Sequence, residues 1–551
     1  MPPKRKDFLK LNPKAKAKAQ EPQSENDFLE AADEFEQAAG KWRAGDAAKA
    51  TRFYNRAIDM YNVGLRRYPS SFDLSYNKAN LEYKMSEDER IAALLGNKVD
   101  LLEETLRSHR TAIALNPDNT DVLFNTGQVL TSLAEALLES RTQEIMKASA
   151  ITLLEEAINV FAKCLASQQH EYEEIQIEIA RAQASQEPQD SLDTPGHIVD
   201  ETTKQESMEM SSTSSDGPGE WATVVEPVTP EAILETCIAY LETLSILIGL
   251  YGPSELAHIE QRAQTGLETA NIKIPALIGL LQISPKTIEE PVPGPTLSIA
   301  SQSAVEEPKS SPKDDASLAA AKFRANVAEV SYRTGQTTII QYAGQIEQIF
   351  APLIEPLHSN TGLDPGLVNS LSVYADTLMD LASAISDSSQ HSDESSTHLA
   401  DYDSQWAALT QAQTILTQIS SGTATSSLSP SRLADIFLAR GDADLFRFRI
   451  SLLDIAKPAW AKSKMVLVSN AGVYYRGARM YAEKADDLKV HKAADAKATI
   501  AELLKEAANG SNMRKLDWKS RGEEVVRMLE QMIEEGIVGK ENAEGVMRYI
   551  E

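Results

Sequence analysis

The chain has 551 residues and a formal net charge of −27, with Ala and Leu common and aromatics at 6%. An acidic body of this kind repels nucleic-acid phosphates and anionic lipid, so direct nucleic-acid or membrane binding is not expected and basic protein partners are. Two cysteines, Cys164 and Cys237, are too few for a disulfide framework; both sit in apolar helical contexts and read as small core residues in a reducing compartment.

The charge is unevenly placed. Residues 1–20 carry +6 and residues 456–551 carry +2, which leaves −35 for the residues between. The fold class expected is all-α, because no alternating β-branched run closed by Asn-Gly or Asp-Gly occurs. No N-terminal apolar segment resembles a signal peptide, and no apolar run reaches 18 residues. The most apolar piece, LSILIGLY at 244–251, is too short to span a bilayer.

In chain order, residues 1–26 form a basic tail without a core. Its Pro3, Lys4, Arg5 and Lys6 read as a nuclear import signal, which predicts residence in nucleus and cytoplasm. Residues 27–185 form the first helical region. Amphipathic helices are expected at 28–43 and 47–67, turned at Gly45-Asp46 and stopped by Tyr68-Pro69. The stretch YPSSFDLSYNKANLEYKMSE follows, then an intervening segment at 88–99, then a helix at 101–115 closed by Asn116-Pro117. Asn119 or Thr120 is placed to cap the next helix, and Gly127 lies inside it, where glycine costs roughly 1 kcal/mol against alanine. The run LLEEAINVFAKCLAS makes a further helix, and 170–185 is read as the start of a fourth unit.

Residues 186–228 break the pattern. Nine acidic residues from Glu187 to Glu220, with Lys204, are diluted by Ser, Thr, Pro and Gly, a composition that buries too little apolar surface to order itself. Helices are expected at 233–251, 254–269 and 272–283 within the region 229–283. A second linker at 284–315 is rich in Pro and Ser. The region 316–551 carries helices at 317–333, 336–357, 365–386, 399–420, 431–456, 460–485, 493–508 and 516–535, with a short end helix at 542–549. Within it, Gly441-Asp442 has the look of an inter-helix turn.

Three stretches carry a family resemblance. The pattern G-D-x-x-x-A-x-x-x-Y-x-x-A is met by Gly45, Asp46, Ala50, Tyr54 and Ala57. Tyr76, Asn77, Ala79 and Tyr83 follow the turn at Pro69, and NTGQVL follows ALNPDN. Ala157, Phe161 and Cys164 fill small, aromatic and small slots. These resemble tetratricopeptide (TPR) repeats over roughly 28–170, with departures at Glu34, which stands where a large apolar residue is preferred, and in the interruption at 88–99. The resemblance implies an α-solenoid of antiparallel helical hairpins interrupted by acidic and Ser-rich linkers. It implies packing positions at Ala57, Ala79, Gly127, Ala157 and Phe161. A peptide groove would be lined by Tyr76, Asn77, Asn80, Phe124 and Asn125, since an amide offers both donor and acceptor to an extended backbone.

The function expected is a non-enzymatic adaptor or escort chaperone for a basic client such as a ribosomal protein or histone. The alternative is a co-chaperone that binds the C-terminal tails of cytosolic heat-shock chaperones. For that alternative Tyr76 stands where the family's first clamp lysine belongs. No CxxC, HExxH, GxSxG or GxxxxGK[ST] is present and the eight histidines are scattered, so no catalytic or metal site and no cofactor is expected.

Overall fold

The structure, a computed structural model, describes residues 21–139, 144–184, 227–252, 255–283, 310–355, 364–389, 398–421, 428–509 and 522–550. Among these every regular element is helical. The import signal, the linker residues 186–226 and 284–309 and the Ser-rich stretch 390–397 lie outside them. Two compact units are formed, one from Met1–Cys164 and Ala239–Gly266, the other from Leu165–Ile238 and Leu267–Glu551.

In the first unit α1 (Glu25–Arg43) starts three residues earlier than the sequence pattern predicts, because Ser24 and Asp27 make a reciprocal capping box. The helix α2 (Ala47–Arg67) starts at Asp46, whose carboxylate accepts the Lys49 N–H, and α3 (Phe72–Glu87) starts at Ser71. The intervening segment is itself a short helix, α4 (Glu89–Leu95), ended by Gly96 at φ +137°. Asp88 anchors it: its buried carboxylate takes Arg43 at 2.8 Å while Ile91 joins the core of α1–α3. Burial alone would raise that carboxyl, but the Arg43 hydrogen bond and charge hold it below the usual range.

Next come α5 (Lys98–Leu115), which packs against α3, and α6 (Thr120–Glu139). Asn119 is the cap of α6, accepting the Val122 N–H at 2.9 Å. The helix α7 (Glu144–Ala184) is 41 residues long, so no separate unit begins at His170; no Gly or Pro falls between those ends to stop it.

The helix α8 (Pro230–Leu250) has 21 residues and is long and apolar enough to cross a membrane by length and composition, which corrects the expectation that no such run exists. Of its most apolar window 61% is buried inside the protein, so it serves as a core helix here. Beyond it α9 (Leu256–Glu268) does not end where the sequence suggests. It passes through a π-turn at Thr269–Lys273 straight into α10 (Ile274–Ile283). Pro275 lacks the N–H that an α-helical bond to Asn271 would use, and the Ile274 N–H bonds back to Thr269 instead.

The second unit continues with α11 (Pro312–Arg333), α12 (Ile339–Ile354), α13 (Pro365–Ser389), α14 (His398–Ile419), α15 (Pro430–Ser451), α16 (Pro458–Ala485), α17 (Leu488–Asn509), α18 (Gly522–Glu534) and α19 (Lys540–Ile550). Ser311 caps α11, so that helix begins inside the segment read as linker. One core gathers Tyr342, Phe350, Leu371 and Tyr374; another gathers Phe446, Phe448, Tyr475 and Met532. Gly441-Asp442 is no turn. It lies within α15, where Gly441 makes room for the fully buried Tyr475 ring. The Tyr475 hydroxyl donates to Asp442 at 2.8 Å, and Lys497 of α17 reaches both Asp442 oxygens at 2.9 Å.

Candidate functional site

In the first unit α3, α6 and the Ala239–Leu250 part of α8 stand side by side, joined by side-chain hydrogen bonds. The Asn125 amide donates to the Tyr76 hydroxyl at 2.9 Å. One heptad further along both helices, the Tyr83 and Ser132 hydroxyls lie 3.3 Å apart. Residues seven apart on a helix share a face, so these two rungs fix the register of α3 against α6. On its other flank α6 meets α8 through Thr131 and Thr243, 2.9 Å apart.

These rungs decide what the sequence-predicted groove residues do. Tyr76 is half-buried and stacked on Phe72, with ring centroids 5.6 Å apart. Burial, aided by the Asp121 charge, pushes its hydroxyl up to about 12. Asn125 is half-buried and spends one amide N–H on Tyr76, leaving its carbonyl oxygen for other use. Asn77 and Asn80 are half-buried and make no side-chain hydrogen bond among the described residues. Phe124 points elsewhere, edge-on to Phe161 of α7 at 6.0 Å. Ala57, Ala79, Ala157 and Phe161 are fully buried. Gly127 is filled by its neighbour: a Cβ there would lie 2.5 Å from the Phe161 ring.

The wall beside the rungs is acidic, and sequence reasoning did not single it out. An open cleft of about 520 Å³ is lined by Lys98, Glu135, Ala136, Leu138, Glu139 and Ile246. Glu87 of α3 approaches Lys98 at 3.9 Å. Glu135 reaches solvent, yet its carboxyl is raised: burial between the helices is the largest cause, Lys98 opposes it, and Glu242, Glu87 and Glu139 add to it. Exposure at the tip with dense protein around the stem is the mark of a concave wall. Glu135 and Glu139 thus line the cleft beside Lys98, and Glu87 of α3 and Glu242 of α8 add to the negative field at Glu135, a field that attracts cations. Leu138 and Ile246 supply apolar lining for the aliphatic stem of a lysine or arginine.

No family model matches this chain. It is similar to UPF0656 protein C926.02 of Schizosaccharomyces pombe, at 28% identity over 130 residues. That match spans 24% of this chain and 28% of the length of that protein.

The signal for the acidic wall was present in the sequence, since Asp121 and Glu135, two heptads apart on α6, share a face and Glu139 follows one turn on. With 81 acidic residues in the chain, that spacing does not stand out until Glu87 and Glu242 arrive from other helices.

Proposed function

We propose that the chain is a TPR-like α-solenoid that acts as a non-enzymatic adaptor or escort chaperone for a basic polypeptide, shared between cytoplasm and nucleus. The reading is carried by the acidic cleft, lined by Glu135, Glu139 and Lys98, in which Glu135 is raised first by burial and further by Glu242, Glu87 and Glu139. A client lysine or arginine entering there relieves like-charge repulsion, so part of its binding energy is already stored in the empty site. The solenoid reading is supported by consecutive helices packing in pairs, α1 on α2, α3 on α5 and α5 on α6, with α3, α6 and α8 joined side by side through their hydrogen bonds. Asn77, Asn80 and the Asn125 carbonyl would clasp the client backbone. An acidic wall repels a C-terminal carboxylate, which disfavours docking of heat-shock chaperone tails.

The test is capture of an immobilised lysine- and arginine-rich peptide by the full chain at 50 and 300 mM salt. Capture is expected to fall steeply with salt, because exposed charges are screened beyond about 10 Å at 0.1 M ionic strength. Glu135→Gln with Glu139→Gln is expected to weaken capture about tenfold at low salt and to flatten the salt dependence, each rim charge contributing of order 1 kcal/mol or less. Salt-independent capture, or full capture by the double variant, would sink the proposal.

A further inference from the structure

The outer face of α2 in the first unit runs against the charge of the chain. Arg52, Arg56, Arg66 and Arg67 are all exposed, and a 3.6-residue turn sets them within about 100° of one another around the helix. Asp59 is the only acidic residue in α2. Among the described residues none of the four guanidinium groups has a carboxylate within ion-pairing distance. Arg52 turns back to the Ala48 carbonyl at 3.3 Å, and Arg56 lies over the Phe53 ring at 5.6 Å. Cations suit the carboxyl end of a helix, which accounts for Arg66 and Arg67. Arg52 and Arg56, about three turns earlier, have no such reason.

At the end of this face opens a cleft of about 560 Å³. Its floor is apolar, formed by Phe28, Met60 and Val63, and Val63 is 41% exposed. Pro22 and Gln23 make its opposite wall, and hydrogen bonds hold them there. Arg67 donates to the Pro22 carbonyl at 3.4 Å and to Oε1 of Gln23 at 3.1 Å. The Tyr68 hydroxyl donates to the Gln23 carbonyl at 2.6 Å, and the Gln23 N–H donates to Asp27 at 2.8 Å. Arg66 stands on the rim, with Glu21 the one carboxylate among the lining residues.

We propose that this cleft and the arginine face of α2 dock an acidic segment of a partner polypeptide. One large apolar side chain is seated on Phe28, Met60 and Val63, and carboxylates lie along Arg66, Arg56 and Arg52. Arg52 to Arg66 covers about 21 Å of helix, which an extended segment spans in about six or seven residues. Each guanidinium takes a carboxylate through two parallel N–H donors, so an acidic segment satisfies the row. A nucleic acid fits less well. The ring on the floor, Phe28, is buried and offers no open face to a base, and the acidic body of the chain repels a polyphosphate. The chain's own Phe8, Leu9 and Leu11 precede Glu21 by ten residues or more, but their basic neighbours are repelled by the four arginines. The site takes the charge opposite to that drawn by the cleft at Glu135 and does not depend on that reading.

The test is fluorescence anisotropy of labelled acetyl-Phe-Gly-Glu-Glu-Asp-Glu-Glu amide, and of the same residues in reverse order, with the full chain at 50 mM salt. One of the two orders is expected to bind, and glycine in place of its phenylalanine to weaken binding about tenfold. Arg52→Gln with Arg56→Gln should weaken it about tenfold and flatten its dependence on salt. Val63→Ser changes an exposed position and should keep the fold, which circular dichroism checks; it should erase most of the difference between the phenylalanine and glycine peptides. Glu135→Gln with Glu139→Gln should leave binding intact. The proposal is overturned by no binding in either order, by equal binding of the phenylalanine and glycine peptides, or by full binding to the Arg52 and Arg56 variant. It is equally overturned by tighter binding of a single-stranded oligonucleotide of equal charge, or by peptide binding that needs Phe8→Ala, Leu9→Ala and Leu11→Ala, which would give the cleft to the chain's own N-terminal segment.

Discussion

Gly441→Ala tests the packing of the second unit most directly, because two opposing effects have different sizes. Alanine improves helix propensity at a mid-helix position by about 1 kcal/mol. The added Cβ would lie 2.3 Å from Cε1 of Tyr475, 2.6 Å from Cδ1 and 2.8 Å from Cζ. That ring has no solvent to move into, as Tyr475 is 0% exposed. Its hydroxyl is tied to Asp442, and Asp442 is tied to Lys497. Overpacking a core typically costs about 1–3 kcal/mol. Pulling the hydroxyl off an ionised carboxylate costs about 1.5–3 kcal/mol more. The clash therefore outweighs the propensity gain, and a net loss of about 2–4 kcal/mol is expected. Thermal unfolding of the full chain by calorimetry reads it as a fall in the midpoint of the second unit. Gly344→Ala in α12 is the control, since nothing lies within 4 Å of its built Cβ; it should gain about 0.5–1 kcal/mol. If Gly441→Ala is as stable as the parent, the glycine sits in an open turn and the packing argument fails.

Other outcomes follow from the first unit. Asn125→Ala and Tyr76→Phe should each lower its stability by about 0.5–1.5 kcal/mol, and the double variant by no more than the larger single loss, because both remove one hydrogen bond; strict additivity in urea titrations would show that the bond contributes nothing. His109 is fully buried, with Nδ1 3.0 Å from the Thr105 carbonyl and Nε2 without a partner. Burial lowers its pKa below 6.5, so it stays neutral in the fold while the unfolded chain takes up the proton. Its contribution is complete above pH 6.5 and is lost as pH falls below that value, at up to about 1.4 kcal/mol per pH unit. Urea midpoints from pH 8 to 5 should fall less steeply in His109→Gln; identical slopes would contradict this account.

Residue types determined more of the chain than its repeats did. Ala47–Arg67 is bounded as the sequence predicts, because Asp46 caps it and Pro69 follows its end. The small positions Ala57, Ala79 and Ala157 are buried as the helical period requires. These are local effects, written within a few residues of where they act. Errors arose where local cues competed with distant ones. Gly441-Asp442 is a turn by composition, but α15 runs through it because a tyrosine 34 residues downstream fills the space above the glycine. The insertion at 88–99 reads as an interruption, but Arg43 and the core of α1–α3 seat its helix α4.

The sequence by itself determined an all-α chain, its helix caps, its buried small residues and its acidic balance, because propensity, capping and hydrophobic period act over one or two turns. Only the tertiary structure decided the chemistry. It spent the amide of Asn125 on Tyr76, set Glu135 and Glu139 in one cleft beside Lys98, and brought Glu87 and Glu242 from other helices to bear on Glu135. Each of these depends on Coulomb and hydrogen-bond distances between helices far apart in the chain, and those distances exist only once the helices are packed.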